Sequence, residues 1–292
     1  MATLKELKVR INGIKGTQKI TKAMKMVASA KLRRAQDRII SARPFARKVE
    51  EMLSQLVDSV GSEGIDELLE KREIKTRCAV IVSSDRGLAG SFNTNVIRNG
   101  MNYLAELPDN TKVITVGKKV TDSFRKRSYN VIESYPGIFN DLTLEQSNAI
   151  VEFIVDGYKR KDFDAVDIIY NEFKSIVKQV VVREQFFPFK SMSALKETEK
   201  KRSASVDYIF EPDNVSILKY LIPKHLRVQF WKILLESNAA EQAARMTAME
   251  TATKNAADLL QILELSYNQA RQASITKEIL EIVGGAEALK EA

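Results

Sequence analysis

Between Lys224 and Val283 the sequence runs without a glycine or a proline. Small and apolar residues recur at Met246, Met249, Thr253, Ala256, Leu260, Leu263, Tyr267 and Ala270, in alternating steps of 3 and 4. That is the seam of a coiled coil, narrower than the stripe of an ordinary surface helix. At 1.5 Å per residue such a helix is roughly 90 Å long. A domain of this size cannot cover it, so it needs a second helix to lie against. Pro223 is expected to stand just before its start, with His225 a partly exposed residue of the first turn.

The other end of the chain supplies a partner. Thr3 and Glu6 fit a capping box, and Leu4, Leu7, Ile11 and Ile14 open a 3-4-3 spacing. Ile20, Met24, Val27, Leu32, Ala35 and Ile39 are read as continuing the apolar stripe. Gly13 and Gly16 weaken the early turns by up to ~1 kcal/mol each. Pro44 is expected to kink or interrupt the helix, which resumes through Val49, Leu53, Leu56 and Val60. Two long seams at opposite ends of one chain can pair antiparallel. The division that follows is a coiled-coil helix over 1–60, a central domain over 61–213 and a second coiled-coil helix over 214–292.

Gly61 to Gly64 reads as a turn, and the pattern then changes. Cys78–Ser83, Lys112–Val116 and Val166–Tyr170 are short β-branched runs of the kind buried on both faces of a sheet. Val177–Val182 is a fourth strand with more alternation. Helical stretches fall between them at Ser91–Leu107, Thr121–Ser128 and Thr143–Lys161. This rhythm predicts an open α/β, Rossmann-like domain with a mostly parallel sheet. The fold class is therefore α/β plus a long antiparallel coiled coil. Ala194–Asp207 is charged and serine-rich and reads as a loop, and Val206–Phe210 as a last short strand.

Little conventional chemistry is present. Cys78 is the only cysteine and His225 the only histidine, so neither an intrachain disulfide nor a Cys/His metal cluster can form. The loop Ser83–Asn93, with Asp85, Gly87 and Gly90, lies where open α/β sheets place ligands. Its spacing matches neither a dinucleotide fingerprint nor a P-loop. The structural reading is a tight turn, with Asp85 or Ser91 capping the next helix. No cofactor is expected. Fourteen lysines and arginines crowd Lys5–Lys48 against Glu6 and Asp37 alone, although the whole chain of 292 residues carries only +8. Such a block calls for an anionic partner: nucleic acid, an anionic membrane or an acidic protein surface. An alanine-rich run from Ala239 to Ala257 makes the last helix narrow, and Arg271–Thr276 is polar enough to be read from outside.

Four stretches carry a resemblance. Gly16–Ala28, Ser84–Leu88, Ala244–Met249 and Tyr267–Val283 resemble, in order, the motifs of the gamma subunit of F-type ATP synthase, bacterial type. The resemblance implies a non-catalytic rotor shaft. Proton flow through the c-ring would turn it, and it would drive the beta-subunit catalytic sites through their conformations for ATP synthesis or hydrolysis. The implied partners are the hexameric head of alpha and beta subunits, the epsilon subunit and the c-ring. No nucleic acid is implied, and membrane association comes only through the complex, on the cytoplasmic face of the bacterial plasma membrane. Carried over by motif, Lys19, Lys22 and Met24 would face an acidic loop of beta, and Arg271, Gln272 and Thr276 another beta loop. Tyr208, Phe210 and Glu211 would meet the c-ring and epsilon; Phe210 stands where many members have tyrosine. Two other readings stay open on the residues themselves. One is a basic coiled-coil nucleic-acid binder, the other an α/β enzyme that uses Asp85.

Overall fold

The computed structural model describes residues 3–60, 72–108, 110–188 and 213–291. Its elements, in order, are α1 (Leu4–Val60), β1 (Arg77–Val82), α2 (Phe92–Ala105), β2 (Lys112–Val116), α3 (Lys118–Arg125) and β3 (Val131–Tyr135). A 3-10 turn (Ile138–Asn140), α4 (Leu144–Lys159), β4 (Ala165–Phe173), β5 (Gln179–Phe187) and α5 (Asn214–Glu291) complete them. The contacts divide the chain into two compact units, Met1–Ala28 with Met246–Ala292, and Ser29–Arg245.

In the first unit the two chain ends pair. Lys15 meets Glu264 at 2.8 Å, Thr21 meets Thr253 at 2.8 Å and Lys25 meets Glu250 at 2.6 Å. Partner numbers fall on α5 as they rise on α1, so the pair is antiparallel. The capping box forms as expected, with Glu6 accepting from the Thr3 N–H and Thr3 Oγ1 from the Glu6 N–H. All eight seam residues of α5, from Met246 to Ala270, are buried or half-buried, and the residues on its opposite face are exposed. On α1 the buried line runs Leu4, Leu7, Ile11, Ile14, Gln18, Thr21, Lys25, Ala28. It keeps the 3-4 spacing and passes through polar residues.

That line corrects part of the sequence reading. Ile20 is 62% exposed and Val27 57%, so neither belongs to the seam. Contact with one partner helix enforces a period of 3.5, and side chains half a turn away point outward whatever their hydrophobicity. Ile20→Ser is accordingly expected to shift the urea midpoint of the isolated chain by no more than about 0.5 kcal/mol in stability.

The second unit holds the sheet, in the order β3-β2-β1-β4-β5. β1 pairs in parallel with β2 and β4, β2 with β3, and β5 closes antiparallel on β4. As the central strand, β1 is buried from Cys78 to Val82. Strand β3 was absent from the sequence reading. It is five residues long, half-buried throughout and paired on one side only, so it lacks the apolar run of an inner strand. Phe187 stacks on Tyr158 of α4 with centroids 4.4 Å apart, and Phe186 meets Phe230 of α5 at 6.2 Å. These rings join the sheet to the long helix.

Neither proline breaks its helix. Pro44 lies inside α1 and Pro223 inside α5. A mid-helix proline costs about 3 kcal/mol. Fully or nearly buried neighbours offset it: Ile39 and Val49 on α1, and Leu221, Ile222 and Leu226 on α5. The start of α5 is set instead by Asp213, whose carboxylate accepts from the Ser216 N–H at 2.8 Å and the Ser216 hydroxyl at 2.7 Å. His225 is therefore a half-buried interior residue, and burial pushes its imidazole down to about 4, neutral at pH 7. Among the described residues no helix is long and apolar enough to cross a membrane.

Candidate functional site

The end of β1 is where an open sheet of this order would take a ligand, because the chain leaves β1 toward β2 and later returns on its other side as β4. Here the crevice is filled by the protein. The Asp85 carboxylate accepts backbone N–H groups from Lys118 at 2.8 Å, Gly137 at 2.6 Å and Phe139 at 2.8 Å. Lys118 is the first residue of α3, so a fixed negative charge sits at that helix's positive end, the place a phosphate would occupy. Ser83 Oγ accepts the Val120 N–H at 2.9 Å, and the Ser84 carbonyl accepts the Lys119 N–H at 3.1 Å. Asn93 Oδ1 accepts both the N–H and the hydroxyl of Ser84, at 3.0 and 2.9 Å. Gly117 makes this closure possible: it has φ +95, and a Cβ there would lie 2.2 Å from the Ser83 carbonyl oxygen.

Asp85 thus caps α3 and the following 3-10 turn, not α2 as the sequence suggested. Ser91 stands at the N-terminus of α2 but makes no side-chain cap bond. Helix capping is legible in sequence only when the cap and the helix are neighbours. Here the carboxylate reaches residues 33 to 54 positions further on.

The loop is then fastened to α5. Arg245 donates to the carbonyls of Arg86 and Gly87, at 3.4 and 3.2 Å, and pairs with Glu241 at 2.6 Å. Glu241 is 4% exposed, and burial pushes its carboxyl up while the Arg245 guanidinium opposes that shift. Ala89, Phe92 and Ala240 form a small core beside this contact, with Ala244 and Phe173 against it. Ala239, Ala240 and Ala243 have no exposed surface. Small side chains at this level of α5 let the loop backbone approach closely. Two of the four motifs that carry the resemblance, Ser84–Leu88 and the start of Ala244–Met249, therefore meet in one place. The pairing of Arg245 with Glu241 was missed in the sequence; the signal available was two opposite charges four residues apart inside an alanine run.

The Cys78 thiol and the Tyr103 phenol are both pushed away from reactivity. Burial raises the Cys78 thiol far above its usual range, which keeps it protonated and inert. A polar cavity of about 390 Å³ is lined by Arg77, Tyr103, Asp167 and Arg183 among others. Arg77 is already paired with Asp167 at 3.1 Å, Arg183 stacks on the Tyr103 ring at 4.5 Å, and burial pushes the Tyr103 phenol up to about 12. Neither the Cys78 thiol nor the Tyr103 phenol is an activated nucleophile near neutral pH.

Six of the residues carried over by motif lie in the first unit, and they form two groups. Lys19 and Lys22 are exposed on α1, with Met24 half-buried beside them. Arg271, Gln272 and Thr276 are exposed on α5. Antiparallel pairing puts Lys22 level with about residue 252 of α5, so the groups are separated by roughly 30 Å along the coil. They can serve two contacts but not one pocket. Lys15 and Lys25, from the same basic block, are engaged with Glu264 and Glu250. Tyr208, Phe210 and Glu211 fall outside the described residues, as do the Ala194–Asp207 loop and the Gly61–Gly64 turn.

A family model described as ATP synthase matches residues 3–289. The ATP synthase gamma chain of Chloroherpeton thalassium is 47% identical over 302 aligned residues, covering 100% of this chain and 99% of the relative. That of Cytophaga hutchinsonii is 46% identical and covers 99% of each. Among solved structures, a chain of the Tetrahymena thermophila mitochondrial ATP synthase central stalk and c-ring aligns with a TM-score of 0.61 at 26% identity, over 80% of this chain and 99% of that one. A chain from the Euglena gracilis mitochondrial ATP synthase aligns at 0.68 over 98% of this chain and 94% of its own; at 20% identity this is a likeness of fold alone.

Proposed function

We propose a rotor function from one premise: the chain belongs to the gamma-chain family of ATP synthase. It is the central shaft of an F-type ATP synthase, turned by proton flow through the c-ring. Its turning drives the beta-subunit sites through their conformations for ATP synthesis or hydrolysis. The chain is a non-catalytic subunit and carries no nucleotide of its own. Its partners are the alpha and beta subunits of the head, the epsilon subunit and the c-ring. It sits peripherally on the cytoplasmic face of the bacterial plasma membrane, held there by the complex.

The observation that carries this reading is the pairing of the two chain ends into an antiparallel coil. Each helix buries one line of residues and leaves other faces free, so the coil differs from side to side. A shaft acting on several beta sites in turn needs that asymmetry. The crevice filled by Asp85 supports the non-catalytic part, because the position of a phosphate is already taken. Lys19, Lys22 and Met24 are assigned to an acidic beta loop, and Arg271, Gln272 and Thr276 to a second beta contact further along the coil. Tyr208, Phe210 and Glu211 are assigned to the c-ring and epsilon.

Reconstitution tests the reading. The purified chain alone should hydrolyse no ATP, and mixing it with alpha and beta subunits should restore ATPase activity and a stable complex. Failure to co-purify with them would sink the proposal. Reversing two charges, Lys19→Glu with Lys22→Glu, should lower ATPase of the reconstituted complex roughly tenfold, the scale of removing close charge pairs at an interface. The sensitivity should fade with added salt. Unchanged activity would remove those two lysines from the coupling contact.

A further inference from the structure

Glu236 lies on α5 in the second unit and is 6% exposed. Its Oε2 has no accessible surface and no hydrogen-bond partner among the described residues. The charged groups facing it come from four elements: Lys232 one turn earlier on α5, Arg43 of α1, Glu172 of β4 and Glu184 of β5. The two acids are themselves engaged. Glu184 accepts the Tyr170 hydroxyl at 3.0 Å and the Gln229 amide at 2.7 Å, and Glu172 accepts Lys174 at 2.6 Å. A buried carboxylate with an unsatisfied oxygen and two carboxylates opposite is costly when ionised and cheap when neutral. Nothing in the contacts described so far requires a glutamate here.

We propose that the packing of α5 on the β4–β5 hairpin is proton-gated: Glu236 is neutral while the helix is seated, and its ionisation loosens the seat. This goes beyond the rotor reading and does not depend on it. The direction of the effect follows from the environment. Burial, with Glu172 and Glu184 adding to it, raises the carboxyl above its free value of 4.5, and Lys232 and Arg43 oppose that shift. A group raised on seating stabilises the seat fully below 4.5 and loses that contribution as pH rises through the seated value. Within that window a released helix ionises, so opening becomes more frequent with each step in pH. Above the window the effect is constant.

Hydrogen exchange of the full-length chain between pH 5 and pH 8, corrected for the intrinsic rate, tests this. In the native chain, opening of α5 around residues 226–240 and of β5 should rise by about tenfold per pH unit inside the window and then level off. Glu236→Gln is neutral and nearly isosteric, and its opening should be flat with pH and no more frequent than that of the native chain at pH 5. Glu184→Gln removes a facing negative charge, so levelling off should begin at lower pH while the slope is kept; a purely structural role for Glu236 would not move it. A native chain flat across the range overturns the proposal. So does a Gln variant with the native slope, or one that opens more readily than the native chain at pH 5.

Discussion

Asp85→Ala is expected to destabilise the second unit by about 3–5 kcal/mol, measured as a lowered urea midpoint of the full-length chain. The estimate rests on three backbone N–H groups that lose one charged acceptor together, at about 1–2 kcal/mol each. The Lys118 N–H is exposed, so water recovers part of its share; those of Gly137 and Phe139 are partly buried and recover less. Asp85→Asn keeps one carbonyl oxygen but replaces the other acceptor with a donor, and should lie between the two. Formate in the buffer should restore some stability to the alanine variant and none to the native chain, because the donors and the helix N-terminus still favour an anion. An alanine variant as stable as the native chain would mean that the three bonds are replaced by solvent without loss. An enzyme that used Asp85 would lose activity on this change and keep its fold, so the experiment also separates the mechanical reading from the catalytic one.

Arg245→Ala should cost a similar amount, about 3–5 kcal/mol, for a different reason. It leaves Glu241, 4% exposed, without its counter-ion. The carbonyls of Arg86 and Gly87 lose their donor at the same time. Adding Glu241→Gln should recover much of the loss, since a neutral amide tolerates burial where a lone carboxylate does not. The remaining deficit then measures the fastening of the loop to α5. If the double variant were no more stable than Arg245→Ala, the buried charge would not be the cause. Limited proteolysis within Ser83–Gly90 offers an independent readout, as the loop should be cut faster in both variants.

Much of this architecture could be read from residue spacing. The seam of α5 from Met246 to Ala270 was legible because a 3-4 repeat sustained over many turns suits a paired helix and little else. The strands β1, β2 and β4 were legible for a similar reason: inner strands of a parallel sheet are buried on both faces and must be apolar throughout, whereas the antiparallel edge strand β5 showed only through alternation. Where one side is open the signal fails, and β3 went unseen. The stripe on α1 was misread between Ile20 and Val27 because hydrophobicity was given more weight than period. Its true line runs through Gln18, Thr21 and Lys25. The prolines misled for a related reason: propensity is a local cost of a few kcal/mol, and the packing that offsets it around Pro223 is not local.

The sequence alone determined the elements whose causes lie within a few turns of helix or strand. These are two long helices with complementary seams, a mostly parallel sheet, a capping box at Thr3 and a basic block over Lys5–Lys48. Tertiary structure alone decided how distant groups are used. Asp85 is an internal anion for α3 and the 3-10 turn that follows β3. Arg245 holds the Arg86–Gly87 backbone against α5, and the alanines around it make room for that backbone. Glu236 is buried with one oxygen unpartnered among the described residues. The physical reason is the range of the forces involved. Backbone propensity and periodic burial act between neighbours in sequence, whereas the energy of a charge depends on which atoms, from anywhere in the chain, surround it after folding.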